Sequence, residues 1–180
     1  MYLPGALAER WFADPARSKL EFSATQDDQV LEGHFESYFV DLRLDSKNPN
    51  AALLRTQIQM DSVSTAASKQ DPIAAQQEKL YATLFPTARF EASDITVTAD
   101  GLTYIANGKL TLRGLSGAAL ITFTLARDPE KNTARLVGWA KVKSLNPDSI
   151  QGQLLDTSWT GNPVKVVVDL YRDANRTASR

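Results

Sequence analysis

The sequence predicts an all-β protein, an antiparallel barrel or sandwich of about eight or nine strands with one helical insertion. Apolar and polar residues alternate over most of the 180 residues, which is typical of strands with one buried face. The connections are short and rich in Gly, Pro, Asn and Asp. One stretch, Ser68–Leu84, shows helical spacing instead. We expect a single domain, residues 1–180, with a core at about 11–172 and a tail at 173–180.

The stretch Leu102–Ser116 has the most regular strand pattern. The face predicted to point inward consists of Leu102, Tyr104, Ala106, Gly108, Leu110 and Leu112. Because Gly108 has no side chain on this face, it indicates a bend or a close backbone approach. Arg113-Gly114 supplies a turn into the next strand, Ala118–Ala126.

The other elements follow in order along the chain. The remaining strand patterns are Trp11–Phe12, Lys19–Ala24, Val30–Asp45, Leu54–Met60, Ala88–Thr98, Arg135–Leu145 and Val164–Arg172. The alternation changes phase near Ser37, which predicts a bulge or tight bend there. Asp71-Pro72 is a predicted helix start, and Phe85-Pro86 ends the helical stretch. Asn146–Pro163 is irregular.

Composition excludes several classes of protein. Hydrophobic residues make up 43% of the chain, enough for a core, and the 20 basic and 21 acidic residues are interspersed. A nucleic-acid binder would normally show a basic patch or stripe. Without cysteine, thiol catalysis, thiolate metal sites and disulfides are excluded. No apolar run approaches the roughly 20 residues of a membrane-spanning helix. The N-terminus lacks the features of a leader, so the protein is cytoplasmic or an upstream segment is missing from this sequence.

Polar residues give no strong sign of catalysis. The single histidine, His34, is expected on the solvent-facing side of a strand and is the most obvious acid–base candidate for an enzyme acting on lipids. There is no Gly-x-Ser-x-Gly nucleophile motif. Four aspartates are expected to stabilise turns rather than bind a cation: Asp27, Asp28, Asp41 and Asp45. Three cations are expected on solvated strand faces rather than in an anion site: Lys109, Arg113 and Lys143. We predict no catalytic site and no metal site.

Large apolar side chains in strands are predicted to point inward. They are Phe22, Phe35, Tyr38, Phe39, Phe90, Tyr104, Phe123 and Trp139. An eight-stranded barrel either fills its interior with side chains or holds one small ligand. The pattern alone leaves both alternatives open.

Five local motifs in order carry a resemblance to a known family. They are Trp11 and Asp14 with Ser18-x-Leu20-x-Phe22; Gly33-His34-Phe35; the Asp45–Pro49 turn with Ile58–Ser62 and Thr65; Leu84–Phe90; and Gly108–Leu115. In this order the chain resembles the YceI-like family, lipocalin-like periplasmic proteins that bind polyisoprenoids or other long-chain lipids. One segment departs from the pattern: Leu145–Gly152 lacks the arginine and the aromatic of the family's Leu-x-Arg-x-Asp-Phe-Gly. Asp156–Val164 is similar to a branch whose members occur alone or attached to a membrane b-type cytochrome.

The resemblance implies a fold and a function. The fold is an extended antiparallel lipocalin-like β-barrel of about eight strands with one short helical insertion. The function is that of a periplasmic, non-catalytic carrier, whose interior holds a long-chain isoprenoid, quinone-type or fatty-acyl ligand. We expect no cofactor other than such a lipid, and no nucleic acid. The predicted ligand-binding residues are Phe22, Phe35, Phe39, Leu42, Ile58, Leu84, Phe85, Phe90, Tyr104, Leu110, Phe123 and Trp139.

The alternative function is a protein-interaction module with a filled barrel and no ligand. Its partner would be a respiratory membrane protein, which the resemblance to the cytochrome-attached branch suggests. A homodimer is also left open.

Overall fold

Antiparallel strands dominate the part of the chain that the computed structural model describes, which is residues 9–13, 15–26, 28–45, 48, 51–142, 146–147 and 163–172. Within it, twelve strands form one sheet, and eight of them close into a barrel. The barrel order is β1 (Glu9–Ala13), β4 (Tyr38–Leu44), β5 (Leu53–Gln59), β7 (Thr87–Val97), β8 (Thr103–Leu112), β9 (Leu115–Asp128), β10 (Thr133–Val142) and β12 (Val164–Arg172), and β12 pairs back to β1. Beyond β12 the sheet continues outside the barrel through β2 (Leu20–Gln26), β3 (Gln29–Phe35) and β6 (Val63–Thr65). The predicted antiparallel barrel is therefore confirmed, and of the two sequence alternatives the sandwich is wrong.

The element bounds agree closely with the alternation in the sequence. The strands are β1 Glu9–Ala13, β2 Leu20–Gln26, β3 Gln29–Phe35, β4 Tyr38–Leu44, β5 Leu53–Gln59, β6 Val63–Thr65, β7 Thr87–Val97, β8 Thr103–Leu112, β9 Leu115–Asp128, β10 Thr133–Val142, β11 Asn146–Pro147 and β12 Val164–Arg172. A 3₁₀ turn at Met60–Ser62 precedes β6, and the helices are α1 Ala66–Gln70 and α2 Pro72–Leu84.

The change of phase near Ser37 marks a tight bend, as predicted. Strand β3 ends at Phe35 and β4 begins at Tyr38, and the two pair with different neighbours. Strand β3 lies between β2 and β6, whereas β4 lies between β1 and β5 inside the barrel. The bend therefore carries the chain from the sheet extension into the barrel wall.

Strand β12 joins the barrel to this extension. On one edge it pairs with β10 along nearly its whole length. On the other edge Lys165–Val167 pairs with β2 and Leu170–Arg172 pairs with β1. Strands β1 and β2 thus share one edge of β12, and the chain between them leaves the sheet at Pro15–Lys19.

The predicted helix is divided in two. Asp71 lies between α1 and α2, and its Oδ1 accepts a hydrogen bond from the backbone N–H of Ile73 at 2.9 Å. Because this contact satisfies a free N–H in the first turn of α2, it favours a new start at Pro72. The expected helix start at Asp71-Pro72 is confirmed, and the expectation of one continuous helix over 68–84 is wrong. Within the described residues, neither helix has the length and apolar character needed to cross a bilayer.

Several expectations for single residues need correction. Leu102 lies before β8 and is 69% exposed, so it does not belong to the inward face. Asp41 is not a turn residue, because it lies in the middle of β4 and is only 2% exposed. Asp28 has a positive φ of 61°, as its turn role predicts. Asp45 also serves a turn, since its Oδ1 accepts a hydrogen bond from the backbone N–H of Asn48.

Lys109 is exposed on β8, and Arg113 lies in the turn after β8 with a φ of 51°. A further group of predictions lies outside the described residues: those for Asp27, Lys143, most of Leu145–Gly152, Asp156–Asn162 and the tail 173–180.

Candidate functional site

The interior is most tightly packed in the middle of the barrel. Leu42, Ala106 and Leu170 are 0% exposed and Phe123 is 1% exposed. A side chain without accessible surface has no water-sized space beside it, so the barrel is solid at this level. We term the end where β1 begins and β4 and β9 end the closed end.

We term the half of the barrel towards the other end the open half. Along β5 the inward residues change from Leu54, 3% exposed, to the partly buried Ile58. Along β8 they change from Ala106 to the partly buried Leu110, and along β12 from Val168 to the partly buried Val166. Other inward residues of this half stay buried, among them Tyr38, Phe90 and Ala119. The accessible apolar surface inside this half therefore comes from part of its lining only.

Strands β2 and β3 extend this apolar surface. The rings of Phe22 and Phe35 lie 5.2 Å apart between centroids, and Phe35 packs against the core. Gly33 makes room for this pair: a Cβ at this position would lie 2.8 Å from Cζ of Phe22 and 2.6 Å from the carbonyl oxygen of Ser64. The close packing around Gly33 therefore explains why the Gly33-His34-Phe35 motif has a glycine at this position.

Gly108 permits the same kind of close approach in the barrel wall. A Cβ there would lie 2.4 Å from the carbonyl oxygen of Glu91 and 2.8 Å from the ring of Phe90. The sequence prediction of a close backbone approach at Gly108 is confirmed. The ring of Phe90 fills the space beside the glycine and is itself only 5% exposed.

A polar cluster seals the closed end. The Arg127 guanidinium donates hydrogen bonds to Oε2 of Glu9 at 2.9 and 3.1 Å and to the Tyr104 hydroxyl at 3.0 Å. Trp11 Nε1 donates to the same Glu9 oxygen at 3.2 Å. Burial by itself would lower the pKa of Arg127, but the hydrogen bonds from its guanidinium to Tyr104 and Glu9 raise it. Tyr104 in turn stacks on Phe123, with centroids 5.2 Å apart, so the seal rests directly on the solid core.

Sequence reasoning missed this seal, although a signal was present. Arg127 continues the register of the inward residues Phe123 and Leu125 on β9, and Glu9 continues that of Trp11 on β1. Charged residues at inward positions near a strand end are typical of a capped barrel mouth. The two partners are 118 positions apart in the chain, so only the fold brings them together.

The structure divides the twelve predicted ligand-binding residues into three groups. Those in the open half or its extension are Phe22, Phe35, Ile58 and Leu110. Those in or against the packed interior are Leu42, Phe90, Tyr104 and Phe123. The others are Phe39, Trp139 and Leu84, which are 44%, 49% and 49% exposed, and Phe85, which follows α2 and is half-buried.

The inward placement of Phe39 and Trp139 is wrong. Phe39 alternates with the buried Tyr38 and Val40, and Trp139 alternates with the buried Gly138. Since successive side chains in a strand point to opposite faces, both aromatics lie on the outside of the barrel. Lys165 Nζ lies 5.9 Å from the centroid of the Trp139 ring on this outer face.

Leu84 belongs to an exposed apolar stripe on α2, together with Ile73 and Leu80. Inward residues of the open half that were not among the predicted binding residues include Ile121 and Val166.

The outer face of the sheet extension carries a groove of about 530 Å³ with a mixed lining that includes Phe22 and Val167. Its charged and ionisable lining residues are Glu21, Glu32, His34, Lys69 and Lys165. The His34 side chain is 20% exposed, and its Nε2 lies 3.4 Å from Oε1 of Glu36. His34 is thus partly covered rather than fully solvent-facing, and it lies outside the barrel. Among the residues that the structure describes, no group of three or more His, Asp or Glu side chains is placed to hold a metal ion.

A second, smaller cavity of about 370 Å³ lies where the chain between β1 and β2 leaves the sheet. Its lining includes Arg17, Lys19 and Arg135 as well as Asp169. Both grooves lie on the outer surface of the sheet.

The barrel and the sheet extension can be compared with known proteins. A model of the YceI-like domain matches residues 11–170. This chain belongs to the YceI-like family. A UPF0312 protein of Yersinia enterocolitica is 31% identical over 86 residues, which are 48% of this chain and 44% of that protein. The chain thus matches less than half the length of this curated YceI-like relative.

Solved structures share the YceI-like fold at low sequence identity. BcnA of Burkholderia cenocepacia has a TM-score of 0.63 at 23% identity, covering 88% of this chain and 98% of BcnA. A Saccharophagus degradans domain, described as polyisoprenoid binding and implicated in plant cell wall breakdown, has a TM-score of 0.54 at 16% identity, covering 91% and 98%. The YceI protein of Campylobacter jejuni has a TM-score of 0.52 at 14% identity, covering 78% and 84%. At these identities the likeness concerns the fold.

Proposed function

We propose that this YceI-like protein is a non-catalytic carrier that binds the apolar chain of a lipid in the open half of its barrel. The observation that carries the proposal is the presence of partly buried apolar residues, Ile58, Leu110 and Val166, on the inward face of the open half of a YceI-like barrel. An apolar chain that enters from this end would contact them. The guest belongs to the isoprenoid, quinone-type or fatty-acyl lipids, whose chains match such a lining.

Desolvation drives the binding. Each CH₂ group moved from water into an apolar site contributes about 0.8 kcal/mol. Eight such groups would contribute about 6 kcal/mol before the entropic cost of immobilising the chain. The site therefore selects its guest by chain width and length more than by head group.

The arrangement of polar residues supports a carrier rather than an enzyme. His34 lies on the outer face of the sheet extension, away from the barrel interior. The charged residues inside the barrel that we identify, Glu9 and Arg127, bind each other and the Tyr104 hydroxyl at the closed end. Neither set of groups faces a chain in the open half. Membership of the YceI-like family and the polyisoprenoid-binding description of the S. degradans domain support the same function. The proposal includes a periplasmic location, as the family resemblance implies.

Native mass spectrometry of the purified protein tests the proposal, before and after incubation with prenyl alcohols and fatty amides. We expect a co-purified or acquired lipid mass at one copy per chain. Leu110→Gln, which places an amide in the open half, should weaken uptake at least tenfold, because burying an unpaired amide is unfavourable. Ile105→Gln is the matched control, since Ile105 lies on the opposite face of the same strand. If the folded protein takes up none of these lipids, the carrier function is refuted.

A protein-interaction module is a second candidate function, and the outer face gives one observation in its favour. Phe39 is 44% exposed, and three arginines lie on the same outer face of β1, β4 and β5: Arg10, Arg43 and Arg55. Exposed aromatic and arginine side chains are enriched at protein interfaces. Substitution of Phe39 by Ser would then abolish capture of a membrane partner and leave lipid uptake unchanged.

A further inference from the structure

Trp139 lies on the outside of the barrel and is 49% exposed, and it has no role in the binding of a lipid inside. We infer that the outer face around Trp139 docks on an anionic lipid bilayer and holds the open half of the barrel at the membrane surface. This inference rests on the outer surface of the barrel and goes beyond the proposed function, which concerns the interior.

Trp139 belongs to an apolar patch that spans four neighbouring strands. It pairs with Thr122 on β9 and with Lys165 on β12, and Thr122 pairs in turn with Ile105 on β8. Directly opposite residues of antiparallel strands project from the same face of the sheet. The aliphatic residues of this face are half-buried and keep part of their surface open to water. We term it the tryptophan face, and its apolar members are Ile105, Leu120, Val137, Trp139 and Val167.

Three lysines border the tryptophan face on the side of the open half. Lys109 lies four residues beyond Ile105 on β8, and Lys141 lies two residues beyond Trp139 on β10. Lys165 lies at the same border on β12, with its Nζ 5.9 Å from the centroid of the Trp139 ring. From Trp139 to the open end, the outward positions that the structure describes on β8, β9, β10 and β12 include no Asp or Glu. Positive charge is therefore concentrated here in a chain whose net charge is −1.

Two carboxylates on the adjoining strands do not cancel this charge. Glu91 of β7 lies opposite Lys109, but its carboxylate also contacts Nε of Arg55 at 3.3 Å. Glu21 of β2 lies opposite Val167, on the side away from Lys109. Three lysines thus face two carboxylates, one of which is shared with an arginine, and the border stays positive.

The combination of tryptophan and lysine favours a bilayer over a protein as the occupant. Tryptophan rings are enriched where the hydrocarbon of a bilayer meets the head groups, and lysine side chains extend their ammonium groups from an apolar surface into the head-group layer. Interfaces between proteins are instead depleted of lysine and enriched in arginine, which is the combination found around Phe39. Docking through the tryptophan face would bring the open half next to the lipids, so an apolar chain would have a short path through water.

Co-sedimentation with large unilamellar vesicles tests the docking. One set of vesicles consists of phosphatidylcholine, and the other contains roughly one third phosphatidylglycerol, whose charge attracts lysine. We expect the protein to bind the anionic vesicles, more weakly as salt is added, and to bind the neutral vesicles poorly. Lys141→Gln should weaken binding about fivefold, the equivalent of about 1 kcal/mol for one lysine at an anionic surface. Trp139→Ala should weaken it about tenfold or more, because the exposed part of a large aromatic ring no longer leaves water.

Lys131→Gln and Phe39→Ala are the matched controls. The Lys131 side chain is 77% exposed in the turn between β9 and β10 at the closed end. Phe39 is 44% exposed on β4, which is four strands from β9 in either direction around the barrel. Both variants should bind the anionic vesicles as the wild type does, and circular dichroism checks that every variant is folded.

The outcomes separate docking from the carrier function. Equal losses in the control and test variants would overturn the assignment of the tryptophan face. Equal binding of the folded wild type to both kinds of vesicle, or binding to neither, would overturn docking on an anionic bilayer, and binding to neither would favour a protein as the occupant. None of these results bears on lipid uptake from solution, which native mass spectrometry measures separately.

Discussion

The buried carboxylate of Asp41 provides the sharpest test of the barrel's energetics. Asp41 lies on the outer face of β4, yet its side chain is only 3% exposed because two arginines cover it. Arg10 donates to its two oxygens at 3.1 and 3.0 Å, and Arg43 donates at 3.4 and 3.0 Å. Arg10 belongs to β1 and Arg43 to β4, so the cluster links two neighbouring strands of the barrel.

The expected effect of Asp41→Asn follows from these contacts. Removing one partner of a buried ion pair typically destabilises a protein by about 3–5 kcal/mol. The arginine side chains here are 26% and 43% exposed, so water screens the interaction and we expect about 2–3 kcal/mol. For a protein of this size, that corresponds to a fall in Tm of roughly 5–10 °C.

Asp169→Asn is the matched control. Asp169 accepts the same two-pronged contact from Arg135, at 2.8 and 3.1 Å, but the two side chains are 37% and 60% exposed. Exposed pairs of this kind contribute less than about 1 kcal/mol. Chemical denaturation followed by circular dichroism should therefore separate the two variants clearly. Equal losses of stability in both would refute the argument that burial strengthens the Asp41 cluster.

The stability that the Asp41 cluster contributes should decrease at low pH. Burial alone would raise the pKa of Asp41, but the hydrogen bonds and positive charges of Arg10 and Arg43 hold it below its ordinary value. The stabilisation is therefore fully present above the pKa of an unfolded aspartate, about 3.9, and is lost as pH falls through the folded-state pKa. The stability difference between wild type and Asp41→Asn should shrink below about pH 4. A difference that stays constant down to pH 2.5 would contradict this assignment.

Three further predictions concern side-chain packing and the hydrogen bonds at the closed end. Gly108→Ala should destabilise the protein by about 2 kcal/mol or more, because its Cβ would lie 2.4 Å from a backbone oxygen of the neighbouring strand; a melting temperature equal to wild type would contradict this. Trp139→Ala, on the outer face, should change stability by less than about 1 kcal/mol, whereas Trp11→Ala, 3% exposed, should lower it by about 3–5 kcal/mol in urea denaturation. Glu9→Gln should weaken the seal and speed hydrogen exchange of the backbone around Arg127, and unchanged exchange there would show that the seal is not needed to close this end.

The sequence by itself determined most of the secondary structure and the kind of fold. Alternation with period two identified the inward face of β8 and the bend at Ser37, because burial on one face of a strand requires that pattern. Gly108 was expected to mark a bend or a close backbone approach, two usual roles of a glycine inside a strand, and the structure shows the close approach. The order of five motifs predicted the YceI-like family, which the domain match over residues 11–170 confirms.

Only the tertiary structure decided which inward residues are fully buried and which keep accessible surface. Alternation places Ala106 and Leu110 on the same face of β8, yet one is fully buried and the other is not. The difference depends on side chains contributed by strands distant in the chain, and no local pattern records them. The Glu9–Arg127 seal joins residues that are 118 positions apart in the chain. Like the buried Asp41 cluster, it forms only because the fold brings distant strands together. Local periodicity thus determines to which face of the sheet a side chain points, whereas the closure of the barrel determines which residues that side chain contacts.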